Sequence, residues 1–385
     1  MGECRVCWVV KLVISDMSSL VQVVQLAQLQ DYGIPSNQIT FPRVIFTSDS
    51  CICIRHNTHD SSKTRATLVN PRQPSCICSW PINDAESALM NPNCLLLALR
   101  VGRIAEVYNV EEKILHRQHD FGNHVDFWVW IDGKTLAVIT KTDVYHWNMR
   151  SSKPRHIFAR DAQLQGMEIV GYHQDTSKLW LALSGLALNK GGHVVGMIQL
   201  YSRSSQLGQV IEAQAVALPL YTFSRNLHPS SVLVAAVHSR AREKFGQLHV
   251  VELGPHKDGN TSLRNSRGSL PFTSCQPGDF PSAVQFSSHL GLVLVLTKHG
   301  FLFLSDIETA QLVHCTQVTG DIVFATVPAS REQGIVGVCR NGKVLFISVC
   351  EQMLYQFLVC RTMSLYVTQR LMQVVWKPNY KVTSV

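Results

Sequence analysis

Residues 335–348 read Ile-Val-Gly-Val-Cys-Arg-Asn-Gly-Lys-Val-Leu-Phe-Ile-Ser, two apolar runs on either side of Asn341-Gly342. β-Branched and aromatic side chains suit a pleated, half-buried backbone. Asn-Gly suits a type I′ turn, in which both central residues take positive φ. The stretch therefore reads as a β-hairpin. The same arrangement recurs upstream: Leu136–Thr140 and Val144–Trp147 flank a Lys-Thr-Asp turn, and Leu292–Thr297 and Phe301–Leu304 flank Lys298-His-Gly. Val232–His238 and Gln247–Leu253 flank a charged loop containing Gly246. Helical periodicity is scarce before residue 350.

Hairpins spaced evenly along most of the chain predict an all-β, radial antiparallel architecture. At roughly 45–50 residues per four-stranded blade, a span of about 330 residues holds about seven blades. A seven-bladed β-propeller over residues 21–350 is expected, with blades near 41–80, 86–118, 124–160, 168–212, 215–275, 280–320 and 322–350. The long fifth unit takes in Gly254–Arg267, whose Gly, Asn, Ser and Pro content marks an exposed excursion. No WD-like or kelch-like signature recurs blade by blade, so the pattern alone leaves a β-sandwich open. Residues 1–20 are an atypical N-terminal segment, and 351–385 a short extension with some helical apolar spacing at Leu354, Phe357 and Leu358.

Composition narrows the function. The chain is 46% hydrophobic and 16% charged, with a net charge of +8. Its Lys and Arg residues are scattered, and phosphate-backbone binding wants a clustered patch, so nucleic acid is not an expected partner. Twelve cysteines include Cys4-x-x-Cys7, Cys51-x-Cys53 and Cys76-x-Cys78. A zinc site needs pairs at finger or ribbon spacing, and none follows. Cys51-Ile-Cys-Ile54 reads instead as a strand, so neither metal nor cofactor is expected. No signal peptide precedes the cysteines, which argues against disulfides. The apolar run Trp8–Ile14 is broken by Lys11 and too short to cross a bilayer. The chain reads as soluble and intracellular.

An ordered series of segments resembles the clathrin heavy chain family. It runs Gln28-Leu-Gln-Asp-Tyr-Gly-Ile-Pro35, Ile39-Thr-Phe41, Cys51-Ile-Cys-Ile-Arg55, Ser87-Ala-Leu-Met-Asn-Pro92, Phe127-Trp-Val-Trp-Ile131 and Val144-Tyr-His-Trp147. It continues through Gly196-Met-Ile-Gln-Leu-Tyr-Ser202, Asp279-Phe-Pro281, Leu296-Thr-Lys-His-Gly-Phe301, Asp306-Ile-Glu-Thr309 and Gly334-Ile-Val-Gly-Val338. The resemblance implies a seven-bladed propeller capping the leg of a three-legged coat protein. Such a module serves vesicle-mediated transport and endocytosis on the cytoplasmic face of coated pits and vesicles. Its partners would be adaptor and accessory proteins, whose short linear motifs dock between blades. Clathrin light chains and other heavy chains would be met only through regions beyond residue 350, where this sequence departs from the family's helical linker.

The resemblance also implies three docking sites. The clathrin-box groove between blades one and two falls on Ile104, Glu106 and Tyr108, which alternate onto one face, and on Lys113. The family has a threonine, a glutamine and a phenylalanine there, then two lysines. Here Leu115 replaces the second lysine, Trp80 an arginine, and Glu106 sets a negative charge against acidic motifs. The arrestin-type groove between blades four and five falls on Trp180, Leu200, Leu207, Gln209 and Ile211, with Ser205 in place of an arginine. A site for Trp-containing motifs falls on Phe41, Glu168, Val170 and Leu186, with Glu168 in place of a glutamine and so able only to accept.

Two other classes compete. A propeller glycosidase needs two carboxylates at fixed separation. Only 27 acidic residues occur, and no Gly-x-Ser-x-Gly, Walker loop or His-Glu-x-x-His is present. His116 and His119 read as surface residues, and no catalytic residue is expected. A generic propeller scaffold unconnected with coats would explain the fold, but not the collinear segments.

Overall fold

The computed structural model describes residues 19–375 apart from 58–62, 74, 76, 83–84, 239–243, 262, 330–332 and 361–364. Its strands form seven antiparallel sheets. Blade one is Val44–Ser48, Cys51–Asn57, Thr64–Val69 and Ile77–Pro81; blade two is Ser87–Met90, Leu96–Val101, Ile104–Asn109 and Ile114–Asp120. Blade three is Val125–Asp132, Thr135–Thr140, Asp143–Asn148 and Arg155–Ala159; blade four is Glu168–Gln174, Trp180–Leu188, Val194–Ser202 and Leu207–Glu212. Blade five is Ala215–Ala217, Ser230–Val237, Phe245–Gly254 and Asn265–Pro271, with Leu220–Tyr221 added on Ser230–Val237. Blade six is Pro281–Ser287, Leu292–Thr297, Phe301–Asp306 and Leu312–Gln317. Blade seven is Val323–Ala329, Gly334–Cys339 and Lys343–Val349, and its fourth strand is Val21–Gln28.

That N-terminal strand closes the ring, pairing from Val21 with Val349 to Gln28 with Lys343. Closure gives Lys343–Val349 a partner on its open side, so the sheet edges that remain are the short outer ones of the blades. The hydrophobic core is divided accordingly. Seven clusters of buried apolar side chains lie between neighbouring blades. The middle strands of blade six are buried on both faces because each face meets a neighbour. Leu292–Thr297 and Phe301–Asp306 are buried at every position. Adjacent blades approach to backbone contact where Gly268 of blade five faces Ala310. A Cβ on Gly268 would lie 1.8 Å from the Ala310 carbonyl oxygen.

Two details differ from the sequence reading. The Asn341-Gly342 connection is not type I′: only Gly342 is left-handed, at φ +88°. Its N–H meets the Cys339 carbonyl at 2.9 Å, giving a three-residue turn that ends on glycine. Gly246 lies inside the strand Phe245–Gly254, paired with Leu270, and not in the preceding loop. The short extension after residue 350 has the helical character its apolar spacing suggested, forming two helices, α1 (Glu351–Cys360) and α2 (Leu365–Val375). Leu354 and Leu358 of α1 and Val367 and Leu371 of α2 are buried in the cluster between blades six and seven.

His119 is half-buried, its ring edge-on to Phe121 at 4.8 Å between centroids, so it packs within a blade interface and is not the surface residue expected. The Cys51 and Cys53 thiols are free, and burial pushes them up to about 11 and about 12. Both are therefore protonated at neutral pH, which suits packing and not metal binding. Among the described residues no cluster of His, Cys, Asp or Glu could hold a metal ion. Cys4, Cys7, Cys76 and the run Trp8–Ile14 lie outside the described residues. No described helix is long and apolar enough to cross a membrane.

Candidate peptide grooves between the blades

Strand register decides which side chains share a groove. In blade four, Trp180 pairs with Ser202, which pairs with Leu207; Ala182 pairs with Leu200, which pairs with Gln209; Ser184 pairs with Ile198, which pairs with Ile211. Directly opposed residues point to the same face, so Trp180, Leu200, Leu207, Gln209 and Ile211 form one surface. That face packs on Val216, Leu233 and Ala235 of blade five at its inner end. Toward the rim it opens: Leu200 is 7% exposed, whereas Leu207 is 70% exposed and Gln209 is exposed beside it. A bare leucine beside an amide, over an apolar floor, offers shallow pockets and a hydrogen-bonding partner for a peptide backbone. One end of the groove is fixed by buried Asp175, which accepts the Trp180 N–H at 2.9 Å and also the Ser231 hydroxyl of blade five.

Ile104, Glu106 and Tyr108 share one face with their cross-strand partners Val101, Leu99 and Leu97, while Ala105 and Val107 between them are buried. Trp80 and Leu99 pack against the apolar cluster between blades one and two. Glu106 does not stand alone. Tyr108 donates to its Oε2 at 2.8 Å, and Gln118 to its Oε1 at 3.1 Å. Burial, and then the hydrogen bond and charge of Glu106, raise the Tyr108 phenol above its ordinary value. Lys113 sits exposed in a turn at φ +57°, and Leu115 is 45% exposed. The Glu106 carboxylate thus already occupies the Tyr108 hydroxyl and the Gln118 amide as donors on this face.

The third set is only partly brought together. Phe41 and Val170 line a central cavity of about 260 Å3, with Trp128 and Phe324 among its other walls. Glu168 and Leu186 pair with each other on neighbouring strands of blade four but lie outside that lining.

A second pocket of about 260 Å3, between blades three and four, escaped the sequence reading. Its basic lining residues lie on separate turns and strands, so no run in the sequence announces it.

Seven closed radial sheets with grooves that open to solvent between blades define a seven-bladed β-propeller. Sequence comparison assigns the relatives. The chain is a homologue of the clathrin heavy chains, aligned with their N-terminal region. It is 31% identical over 332 residues to the clathrin heavy chain of Drosophila melanogaster, which covers 86% of this chain and 19% of that one. It is 33% identical over 325 residues to clathrin heavy chain 2 of Homo sapiens, covering 84% and 19%. The chain thus spans about a fifth of the length of these relatives. No protein-family model matches it. A chain of a solved structure, "Crystal Structure of Mitotic Checkpoint Complex", superposes with a TM-score of 0.55 at 12% identity, covering 91% of this chain and 97% of that one; the likeness concerns the fold alone.

Proposed function

We propose that this chain is a clathrin-like coat module that docks short linear motifs of adaptor and accessory proteins in its inter-blade grooves, on the cytoplasmic face of coated pits and vesicles, without catalytic chemistry. The carrying observation is the blade-four surface, where exposed Leu207 and Gln209 stand at the open end of a floor made by Trp180, Leu200 and Ile211. Apolar ligand side chains would fill the floor while Gln209 satisfies peptide backbone groups. Leucine-rich arrestin-type peptides are expected to bind more tightly than acidic clathrin-box peptides. Replacing Leu207→Ala should cost the former about 1–2 kcal/mol and leave the latter unchanged. Titration calorimetry with both peptides decides, and a preference for the clathrin-box peptide overturns the ranking.

The groove between blades one and two is the weaker site in this reading because of charge. The double change Glu106→Gln and Leu115→Lys is expected to raise affinity for an acidic peptide by about 1 kcal/mol at low salt, the small size reflecting exposed charges. The gain should fade as the screening length falls below about 10 Å. If low-salt affinity does not change, Trp80 closes the groove sterically and the electrostatic account fails.

A further inference from the structure

Lys153 and Arg155 come from the last hairpin of blade three, Lys178 from the first turn of blade four, and Arg203 from the turn after Val194–Ser202. All four line one pocket of about 260 Å3 between the two blades. Asp132 is the one carboxylate in that lining, and it is paired with Lys178 at 3.4 Å. Among the described residues, Lys153, Arg155 and Arg203 have no carboxylate within ion-pair distance. Like charges gathered around a concavity repel one another, and the low-dielectric walls focus their field on any anion that enters. Lys178 holds a left-handed backbone at φ +60°, unusual for lysine, with its N–H bound to the Asp175 carbonyl at 3.0 Å. The Arg203 guanidinium donates to the Lys178 carbonyl at 3.3 Å, so one cation braces the other. On the pocket wall His146 shares a hydrogen bond of 2.7 Å with the Tyr172 hydroxyl. Burial, followed by Arg203 and with Arg155 and Lys178 adding to it against Asp132, lowers this imidazole to about 4. The fields of three cations converge on one neutral ring.

We propose that this pocket receives the phosphate of a phosphorylated serine or threonine carried on an extended peptide. A phosphate monoester brings nearly two negative charges and three strong acceptors, and guanidinium forks match its geometry. The space is below the roughly 300–1,000 Å3 of pockets that enclose whole drug-sized ligands, so it suits one group on a longer chain. Arg155–Ala159 is the outermost strand of blade three. Its free edge lets a peptide run beside the pocket. This inference extends the docking reading to another groove but depends on charge, so the two can fail separately.

The test titrates the full chain at low salt with a fluorescent phosphoserine peptide and its unphosphorylated twin. The phosphorylated form is expected to bind about tenfold more tightly. That preference should vanish in the double variant Lys153→Ala, Arg155→Ala, both of whose side chains are exposed. Affinity for a leucine-rich peptide at the blade-four groove should stay the same in that variant. The His146 resonance should titrate at higher pH with the phosphopeptide bound, because a nearby dianion favours the imidazolium. Equal affinity for the twin peptides, or a preference that survives the double variant, overturns the proposal. Binding of phosphoinositide vesicles through these lysine and arginine positions, without phosphopeptide preference, overturns the peptide source.

Discussion

Replacing Arg370→Met is expected to lower the free energy of unfolding by about 3–5 kcal/mol, the usual cost of stranding a buried charge. Arg370 projects from α2 onto Asp306 at the end of blade six, and the Asp306 side chain is 0% exposed. The guanidinium also donates to the carbonyls of Gly291 at 3.2 Å and Leu290 at 3.5 Å. Without it, the Asp306 side chain keeps, among the described residues, only the N–H and hydroxyl of Thr309, at 2.9 and 2.7 Å. The double variant Asp306→Leu, Arg370→Met should recover much of the loss, since an apolar pair needs no compensation. Urea titrations of the three proteins decide. A single variant within about 1 kcal/mol of the parent would mean that water reaches Asp306 and the pair compensates nothing.

The neighbouring Glu308 gives this contact a pH dependence. It accepts from Tyr221 at 3.0 Å, from the Ser224 N–H at 2.7 Å and hydroxyl at 2.9 Å, and from Tyr366 of α2, so one carboxylate ties blades five and six to the helix. Burial opposes its ionisation, but these hydrogen bonds outweigh burial and lower its pKa below the ordinary 4.5. A folded-state pKa below the unfolded one adds stability that is present above the unfolded value and lost as pH falls through the folded one. Stability should therefore drop below about pH 4.5. That drop should be smaller in Glu308→Gln.

A chain shortened to begin at Phe41 is expected to lose cooperative unfolding altogether. It would lack Val21–Gln28, leaving blade seven with three strands and an unpaired edge at Lys343–Val349. It would also lose Leu29, Ile34 and Ile39, each at most 1% exposed, from the cluster between blades seven and one. At about 1.5–3 kcal/mol per buried side chain, these three rival the ~5–15 kcal/mol that holds a typical domain together. The point change Leu29→Ala should cost about 2–5 kcal/mol by itself. Near-UV dichroism during thermal unfolding checks both. A shortened chain that melts with the parent's midpoint would show that the ring does not need its N-terminal strand.

Hairpins were legible in the sequence because their two strands are neighbours and a short turn separates them. Blade closure was not: Val21 and Val349 carry no signal of each other, and only the ring geometry pairs them. The turn at Asn341-Gly342 was misread for a related reason. The dipeptide allows more than one hairpin geometry, and the register of the flanking strands selects the one with Gly342 alone at positive φ.

The sequence by itself determined that the chain is a repeated antiparallel β architecture related to clathrin heavy chains, and which residues alternate onto each strand face. Those properties are local, set by period-two patterning and turn chemistry, or by collinear likeness. The tertiary structure decided what those faces meet. It set Leu207 and Gln209 at an open rim and Leu200 beneath, and it gave Glu106 two hydrogen-bond donors. It gathered Lys153, Arg155, Lys178 and Arg203, scattered in the chain, around one pocket. Charge acts through space, so residues 50 positions apart become a single electrostatic feature only when two blades are packed side by side.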